Sequence, residues 1–377
     1  MKDSAVQGTE GARRELERGE RVRAVGRALR YLGIRSLIVV LTVMVGIYAA
    51  IWVTNLGGVG DEDRRADIRA MVALGSRGPH WREMTQEVRE ETLEAAFQAA
   101  YRAADLDQPF FLRSFRYFGQ AVSLSLGDTR FHTLSGSNVV RDVLLERLPR
   151  TLLIFGVANL ITFLVGLGIS LGLSRRYGSF LDRAATLLVP LFAAPPWFHG
   201  LFLIVIFAIV LKILPFGGFL GTSIPETSLA YTLTVLKHLV LPVLATVLGT
   251  LPYAVYTNRA LFLIHSSDDH VEMAKSKGLR ADRLQRRYIL RPVLPAVITN
   301  FAFLAIVAWE AVIITENVFN WPGLGALVLQ AIQMHDVSVV IGAVTLLAVL
   351  LGVTILFLDI LYVVVDPRVK FGGGGDA

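Results

Sequence analysis

Hydrophobic residues gather in six long stretches that polar and basic segments separate. A helix needs about twenty mostly apolar residues to cross a bilayer, because lipid offers no partner for unpaired backbone groups. The six stretches lie at residues 36–56, 151–173, 184–211, 236–258, 293–316 and 338–364. They predict an all-α polytopic membrane protein with six transmembrane helices. Pro190, Pro195 and Pro196 interrupt the third stretch, so we expect a break in that helix.

A long polar segment separates the first two stretches. Within it, residues 83–104 carry apolar positions at helical spacing, which predicts an amphipathic helix and an enlarged helical cap on this side of the membrane. The chain is accordingly divided into a basic leader at 1–35, a first span at 36–56, the polar segment at 57–150, a core with five helices at 151–366 and a tail at 367–377.

Lysine and arginine residues are distributed unevenly among the segments that join the spans. Residues 1–35 hold nine, 175–183 hold three and 259–292 hold eight, whereas 213–235 and 317–336 hold none. Positive charge in short loops is retained on the cytoplasmic side. Both termini are therefore predicted to be cytoplasmic and the long polar segment extracytoplasmic.

Composition agrees with a membrane protein and excludes several other classes. The chain has 377 residues, of which 54% are hydrophobic and 18% charged, while soluble domains carry about 25% charged residues. The absence of cysteine excludes disulfides and thiolate metal sites. The net charge of +6 is concentrated in the leader and one loop, and the long polar segment balances thirteen arginines with fourteen acids. We therefore expect the lipid bilayer to be a partner of this chain and expect no nucleic-acid partner.

Signatures of catalysis are missing from the sequence. The dipeptide Gly-Lys does not occur, so the chain holds no GxxxxGK[ST] phosphate loop, and the HExxH pattern is absent too. No two histidines lie three or four residues apart within a predicted span. We therefore expect no enzyme activity and no metal site in this chain.

A few polar and small residues inside the predicted spans are candidate sites. Glu310 lies well within the fifth stretch, where charge is costly and commonly functional. It could be a hydrogen-bonded carboxyl that faces another helix, or part of the wall of a substrate path. Asn300 lies nearly three turns earlier on the same helix and could extend a polar stripe. Gly168 and Gly172 in the second stretch predict close helix packing.

The basic loop at residues 259–292 is predicted to contain two short helices that Gly278 separates. Three features support the first of these helices. They are an approximate capping box at its start, two lysines near its negative end and a glycine that suits a left-handed cap. These residues are Asp269, Glu272, Lys275, Lys277 and Gly278. A helix this short needs a partner surface. Ala274 and Gly278 present little side chain and would allow close approach to a receiving groove; the alternative is a solvated linker.

Several sequence motifs carry a resemblance to a known family. Glu272, Met273 and Ala274, followed after three residues by Gly278, resemble the EAA–G motif of binding-protein-dependent ABC importer permeases. The resemblance is more specific to the dipeptide/oligopeptide permease family and covers roughly 105–371. It rests on residues 105–120, 126–128, 274–279, 290–297, 316–325 and 358–368.

The resemblance implies a fold, partners and residue roles. The fold would be that of the MetI-like importer permeases, and the chain would form half of a pore with a second homologous permease in a prokaryotic cell membrane. The loop helix would couple to two ATPase subunits that hold ATP and magnesium, and an extracytoplasmic binding protein would deliver di- or oligopeptides. Glu316 occupies a family acidic position and is assigned, with Asn300 and Glu310, to the translocation path. The residues assigned structural roles are Gly168, Gly172, Pro195, Pro196, Trp321, Pro322, Gly323 and Gly325.

Three departures from the family pattern leave other functions open. Met273 replaces the second alanine of the motif, the segment that begins at residues 57–63 is longer, and Glu310 replaces a small residue. Oligosaccharides or nickel are alternative cargoes. A transporter driven by an ion gradient could use Glu310 as a proton site. An intramembrane enzyme is disfavoured, because no paired catalytic groups lie at workable spacing.

Overall fold

A computed structural model describes residues 2–55, 59–76, 84–221 and 225–365. Within these ranges helices are joined by turns and irregular segments, and the β-structure consists of one isolated bridge between Asp128 and Val139. The predicted tail at 367–377 lies outside the described residues. In chain order the helices are α1 (Lys2–Asn55), α2 (Val59–Gly75), α3 (Gln86–Ala103), α4 (Phe110–Val122), α5 (Val140–Ser174), α6 (Phe180–Leu191), α7 (Pro196–Val210), α8 (Ser228–His265), α9 (Asp269–Ser276), α10 (Ala281–Val318), α11 (Leu324–Gln333) and α12 (Val337–Val365). Helix α7 ends in a π-helical turn, and α10 contains one near its start.

Five of the described helices are long and apolar enough to cross a membrane, namely α1, α5, α8, α10 and α12. The third predicted span is not one helix, because α6 ends at Leu191 and α7 begins at Pro196. Pro195 has an extended backbone with φ −59° and ψ 153°, and neither it nor Pro196 can donate an amide hydrogen bond. The prediction of six spans is therefore not confirmed, whereas the predicted break is.

The helices pack around α5 and α8, which lie side by side and share a buried cluster with the loop after α10. Helix α10 contacts α5 through Trp309, whose ring stacks on Phe155 with centroids 3.9 Å apart. Helix α1 packs against α12, where a Cβ placed on Gly352 would lie 2.9 Å from Val43 Cγ2. These contacts determine which face of each helix is buried.

The prediction that Gly168 and Gly172 mediate close helix packing is wrong for this chain. Both glycines are exposed, and a Cβ placed on either would meet no atom within 4 Å. The close approach occurs at Gly166 instead, where an added Cβ would lie 3.3 Å from Leu251 Cδ1 and 3.6 Å from Ala254 Cβ. The rotation of α5 about its axis, which spacing alone does not reveal, decides which glycine faces α8.

The segment between the first two spans forms a helical hairpin of α2 and α3. Helix α3 confirms the helix predicted over residues 83–104. Arg69 Nε donates a 2.8 Å hydrogen bond to the hydroxyl of Tyr101, which joins the two helices. The hairpin is attached to α4 by Asp61, which accepts two hydrogen bonds from the buried guanidinium of Arg113, one of them 2.9 Å long.

Candidate functional site

A cleft of about 510 Å³ lies between the α6–α7 break, the middle of α8 and the C-terminal half of α10. Most of its lining is apolar or aromatic, and its polar side chains come from α8 and α10. They are Thr250, Tyr253 and Glu310. Such a cleft, open on one side and lined by several membrane helices, has the form of a path for a small solute.

Glu310 faces the cleft because its neighbour in the sequence anchors α10 on the other side. Trp309 is 6% exposed, stacks on Phe155, and donates a 3.3 Å hydrogen bond from Nε1 to Thr354 Oγ1. Successive residues of a helix point about 100° apart, so Glu310 emerges into the cleft. Asn300 does not line the cleft, and the predicted polar stripe from Asn300 to Glu310 is not found there.

The break before α7 brings its first residue against α8. A Cβ placed on Gly249 would lie 3.0 Å from Pro196 Cγ and 3.1 Å from its nitrogen, so only glycine allows this approach without a shift. Further along α7 and outside the cleft, a Cβ on Gly200 would lie 2.8 Å from Phe319 Cε2. Helix α7 is therefore packed closely against α8 and against the end of α10 at two glycines.

Glu316 is not on the cleft, which corrects its assignment to the translocation path. Its side chain is 0% exposed, and Oε2 accepts a 3.0 Å hydrogen bond from the amide of Ala326 in the first turn of α11. The amide of Leu324 donates a 2.7 Å bond to Thr151 Oγ1 on α5. A carboxylate at a helix N-terminus satisfies amide groups that the helix leaves unpaired. Glu316 thus holds α11 in place and has no access to a solute.

The residues after Glu316 complete this buried junction. Trp321 is 0% exposed and donates a 3.0 Å hydrogen bond from Nε1 to the carbonyl of Arg150, while Arg150 Nη1 donates a 3.4 Å bond to the carbonyl of Pro322. A Cβ on Gly323 would overlap the Glu316 carboxylate, and a Cβ on Gly325 would crowd the backbone of α10. The two glycines are therefore required by lack of space.

Helix α9 lies on the basic loop, with one face anchored and the other exposed. Val271 and Ala274 are 0% and 3% exposed, and Val271 packs in a cluster with Phe262, Ile289 and Val293. Ala274 therefore faces its own chain, which corrects the expectation that it would meet a receiving groove. The exposed predicted residues are Asp269, Glu272, Lys275, Lys277 and Gly278. Met273, which the sequence analysis noted only because it replaces the second alanine of the EAA–G motif, is 59% exposed on the same surface.

The C-terminal end of α9 agrees with the prediction, whereas its N-terminal end does not. Gly278 has φ +69°, as expected of a left-handed cap, and its amide donates a 2.9 Å hydrogen bond to the carbonyl of Lys275. The predicted capping box is not formed, because the N-cap residue is Asp268 and its side chain accepts no capping hydrogen bond. Asp269 and Glu272 still lie in the first turn, where negative charge is favourable.

Three side-chain contacts that sequence reasoning missed tie the loop region together. Asp182, 2% exposed at the start of α6, pairs with both Nε and Nη2 of Arg259 on α8. This guanidinium, together with the amide of Gly178, holds the pKa of the Asp182 carboxyl below its usual range. On α10, Gln285 donates to the carbonyl of Leu171. The third contact is the exposed ion pair of Arg175 with Asp282. The sequence shows opposite charges near the ends of successive spans, but it does not show which of these residues pair.

No group of three or more potential metal ligands occurs among the residues that the structure describes.

Comparison with known proteins places these features in a family. Residues 165–371 match the family described as binding-protein-dependent transport system inner membrane component. A relative from Brucella suis biovar 1 is 30% identical over 271 residues, which cover 70% of this chain and 81% of the relative. The oligopeptide transport system permease protein AppB of Bacillus subtilis is 29% identical over 269 residues, covering 71% and 82%.

A solved inward-facing structure of the MetNI methionine ABC transporter is also similar, with a TM-score of 0.48 and 16% identity, over 60% of this chain and 97% of that one. The family match spans more than half of this chain and contains α8, the cleft face of α10 and all of α9. This chain therefore belongs to the binding-protein-dependent transport system inner membrane components, as a multi-pass permease subunit of a bacterial ABC importer that works with ATPase and substrate-binding partners and is not itself an enzyme.

Proposed function

We propose that this chain forms one half of a two-subunit pore that imports di- or oligopeptides. The family match over residues 165–371 carries the proposal, because that range contains both the cleft and the exposed loop helix. Relatives named for dipeptide or oligopeptide transport in Escherichia coli K12 and Bacillus subtilis support peptides as the cargo. The cleft is open on one side, where a second, related permease would close it.

Helix α9 is the proposed contact with the ATPase subunits, of which there would be two, each with ATP and magnesium. Its inner face is fastened to α8 and α10 by Val271 and Ala274, so a push on its outer face would move those helices. The outer face presents Met273 among charged side chains. A single exposed apolar side chain is common on protein surfaces, so the support for docking is the exposure of this face together with the resemblance of residues 272–278 to the EAA–G motif of importer permeases.

The proposed orientation places α9 and both termini in the cytoplasm and the α2–α3 hairpin outside, where the substrate-binding protein would approach. Support comes from the basic side chains that meet at one end of the helices. Arg175 follows α5, Arg259 lies in the last turns of α8, and the exposed Arg283 lies near the start of α10. The short connections at 213–235 and 317–336, at the opposite end, hold no lysine or arginine, consistent with the retention of positive charge in the cytoplasm.

Substitution of Met273 by aspartate tests the proposed docking. In membranes that contain the whole transporter, we expect Met273→Asp to insert normally, to lose most of the ATPase that co-purifies with a tagged chain, and to reduce ATP-dependent peptide uptake at least tenfold. The reason is that a carboxylate would be desolvated against an apolar pocket. Met334→Asp is the matched control, because Met334 is 49% exposed in the turn after α11. Normal uptake by Met273→Asp would contradict docking at α9.

A further inference from the structure

Glu310 has no partner within the part of the chain that the structure describes. Its side chain is exposed to the cleft, and no hydrogen bond or ion pair joins it to another described residue. Six residues later on the same helix, Glu316 is buried and accepts a backbone hydrogen bond. The two carboxylates therefore have different roles, and the fold supplies nothing that neutralises Glu310.

A carboxylate at this depth requires water or a cation. Charge inside a membrane is costly unless it faces a hydrated cavity or an opposite charge. Trp309 holds α10 in the rotation that keeps Glu310 in the cleft, as described above. The lining of the cleft contains no lysine, arginine or histidine. Water or a cationic solute in the cleft can therefore compensate the carboxylate where the described lining does not.

Aromatic rings around the same cleft favour one class of charge. Phe192 at the α6–α7 break, Trp197 in the first turn of α7 and Tyr253 on α8 all line it. The faces of aromatic rings attract organic cations, most strongly in the case of tryptophan. A carboxylate together with aromatic rings is a suitable environment for an ammonium group and a poor one for an anion.

We propose that Glu310, with Trp197 and Tyr253, forms a subsite for the ammonium group of a lysine side chain of the cargo. That the cargo is a peptide rests on the proposed function. The negative electrostatic potential of the cleft rests instead on Glu310 and on the lack of basic residues in the described lining. The subsite makes the permease itself selective for cationic over anionic cargo, in addition to any selection by the binding protein.

The lack of cysteine allows a direct test of the cleft's potential. Val307→Cys, at a cleft-lining position that is 61% exposed, introduces the only thiol of the chain. In membranes with the whole transporter, this thiol is labelled with two methanethiosulfonate reagents, one that carries a trimethylammonium group and one that carries a sulfonate group. We expect the cationic reagent to react about tenfold faster, after each rate is divided by that of the same reagent with a free thiol. Adding Glu310→Gln should bring the ratio close to one, whereas Glu310→Asp should preserve it.

Phe202→Cys is the matched control for this labelling. Phe202 is 55% exposed on α7 but does not line the cleft, so its labelling ratio should not respond to Glu310→Gln. A ratio near one at Val307→Cys in the presence of Glu310 would overturn the proposal, because a basic residue of the second permease would then already neutralise the carboxylate. A ratio unchanged by Glu310→Gln would overturn it as well.

Transport separates failure of the subsite from failure of the proposed function. With a saturated binding protein, we expect Glu310→Gln to lower ATP-driven uptake of alanyl-lysyl-alanine about fivefold relative to that of alanyl-glutamyl-alanine. A parallel loss for both peptides would overturn the subsite and leave peptide import intact. Wild-type transporter that imports neither peptide would overturn the proposed cargo, and the labelling ratio would still decide whether the cleft attracts cations.

Discussion

Two glutamates on α10 show how much a single residue depends on its surroundings. Glu316 is enclosed by the start of α11 and by glycines that leave no space for a side chain, whereas Glu310 is open to the cleft. Both lie in one apolar stretch and were assigned to the translocation path, Glu310 because charge within a span is costly and Glu316 because it occupies a family acidic position. Burial and hydrogen bonding give the first a structural role and leave the second available for a ligand.

At the residue scale, we predict that Gly323→Ala destabilises the junction around Glu316. The added methyl group would overlap the buried carboxylate, and overpacking of this kind costs about 1–3 kcal/mol. The thermal unfolding midpoint of the purified protein in detergent should fall by several degrees. Gly119→Ala is the control, because Gly119 is exposed on α4 with no atom within 4 Å of an added Cβ. Equal midpoints for the two variants would contradict the tight fit.

Two buried polar contacts join elements at the predicted cytoplasmic end of the helices. The buried pair of Asp182 with Arg259 joins α6 to α8, and Gln285 joins α10 to the end of α5. These contacts link the helices that line the cleft to the loop that carries α9. A movement of α9 would therefore reach the cleft through packed helices and a small number of polar contacts.

We predict that Asp182→Asn lowers the stability of the protein by roughly 3–5 kcal/mol, because it leaves a largely buried guanidinium without its counter-charge. Arg259 lowers the pKa of Asp182 in the folded protein. The stabilisation is therefore present above the unfolded-state pKa of about 3.9 and is lost as the pH falls through the lower folded-state pKa. Thermal unfolding should show a constant difference from wild type between about pH 8 and 5, which shrinks below about pH 4.

The control for this pair is the exposed ion pair of Arg175 with Asp282, whose side chains are 44% and 63% exposed. Asp282→Asn should change stability by less than about 0.5 kcal/mol at any pH, since exposed pairs contribute little. A difference between Asp182→Asn and wild type that persists undiminished at low pH would show that the pair is not the cause.

The family match begins at residue 165, so the α2–α3 hairpin lies outside it, together with α1, α4 and most of α5. Arg113, 5% exposed on α4, attaches the hairpin through Asp61 and also donates hydrogen bonds to the carbonyl of Gln108 and the hydroxyl of Tyr117. The Asp61–Arg113 pair is therefore a specific polar contact between the hairpin and α4, and Arg65 adds a 3.3 Å hydrogen bond to the carbonyl of Leu106.

At the scale of the whole molecule, we predict that Arg113→Leu frees the hairpin from α4. Limited trypsin digestion of the detergent-purified protein should cleave within α2 and α3 about tenfold faster, while the fragment from α5 to α12 survives. Arg141→Leu is the control, because Arg141 pairs only with its neighbour Asp142 and both are exposed. Unchanged cleavage by trypsin would show that other contacts suffice to hold the hairpin.

The sequence by itself determined the features that depend on local chemistry. Spans α1, α5, α8, α10 and α12 follow from the length of apolar stretches, because the bilayer imposes this requirement on each segment separately. The break at Pro195 and Pro196 and the left-handed cap at Gly278 follow from the backbone preferences of single residues. The family, too, was recognised from the order and spacing of short motifs.

Only the tertiary structure decided which face of each helix meets a neighbour. Helix rotation determines that Gly166 and not Gly168 contacts α8 and that Ala274 faces inward. It also determines that Glu316 is buried while Glu310 is open to the cleft. In membrane helices most positions are apolar on every side, so periodicity does not mark the buried face. Contacts between distant residues, such as that of Trp309 with Phe155, set the rotation instead.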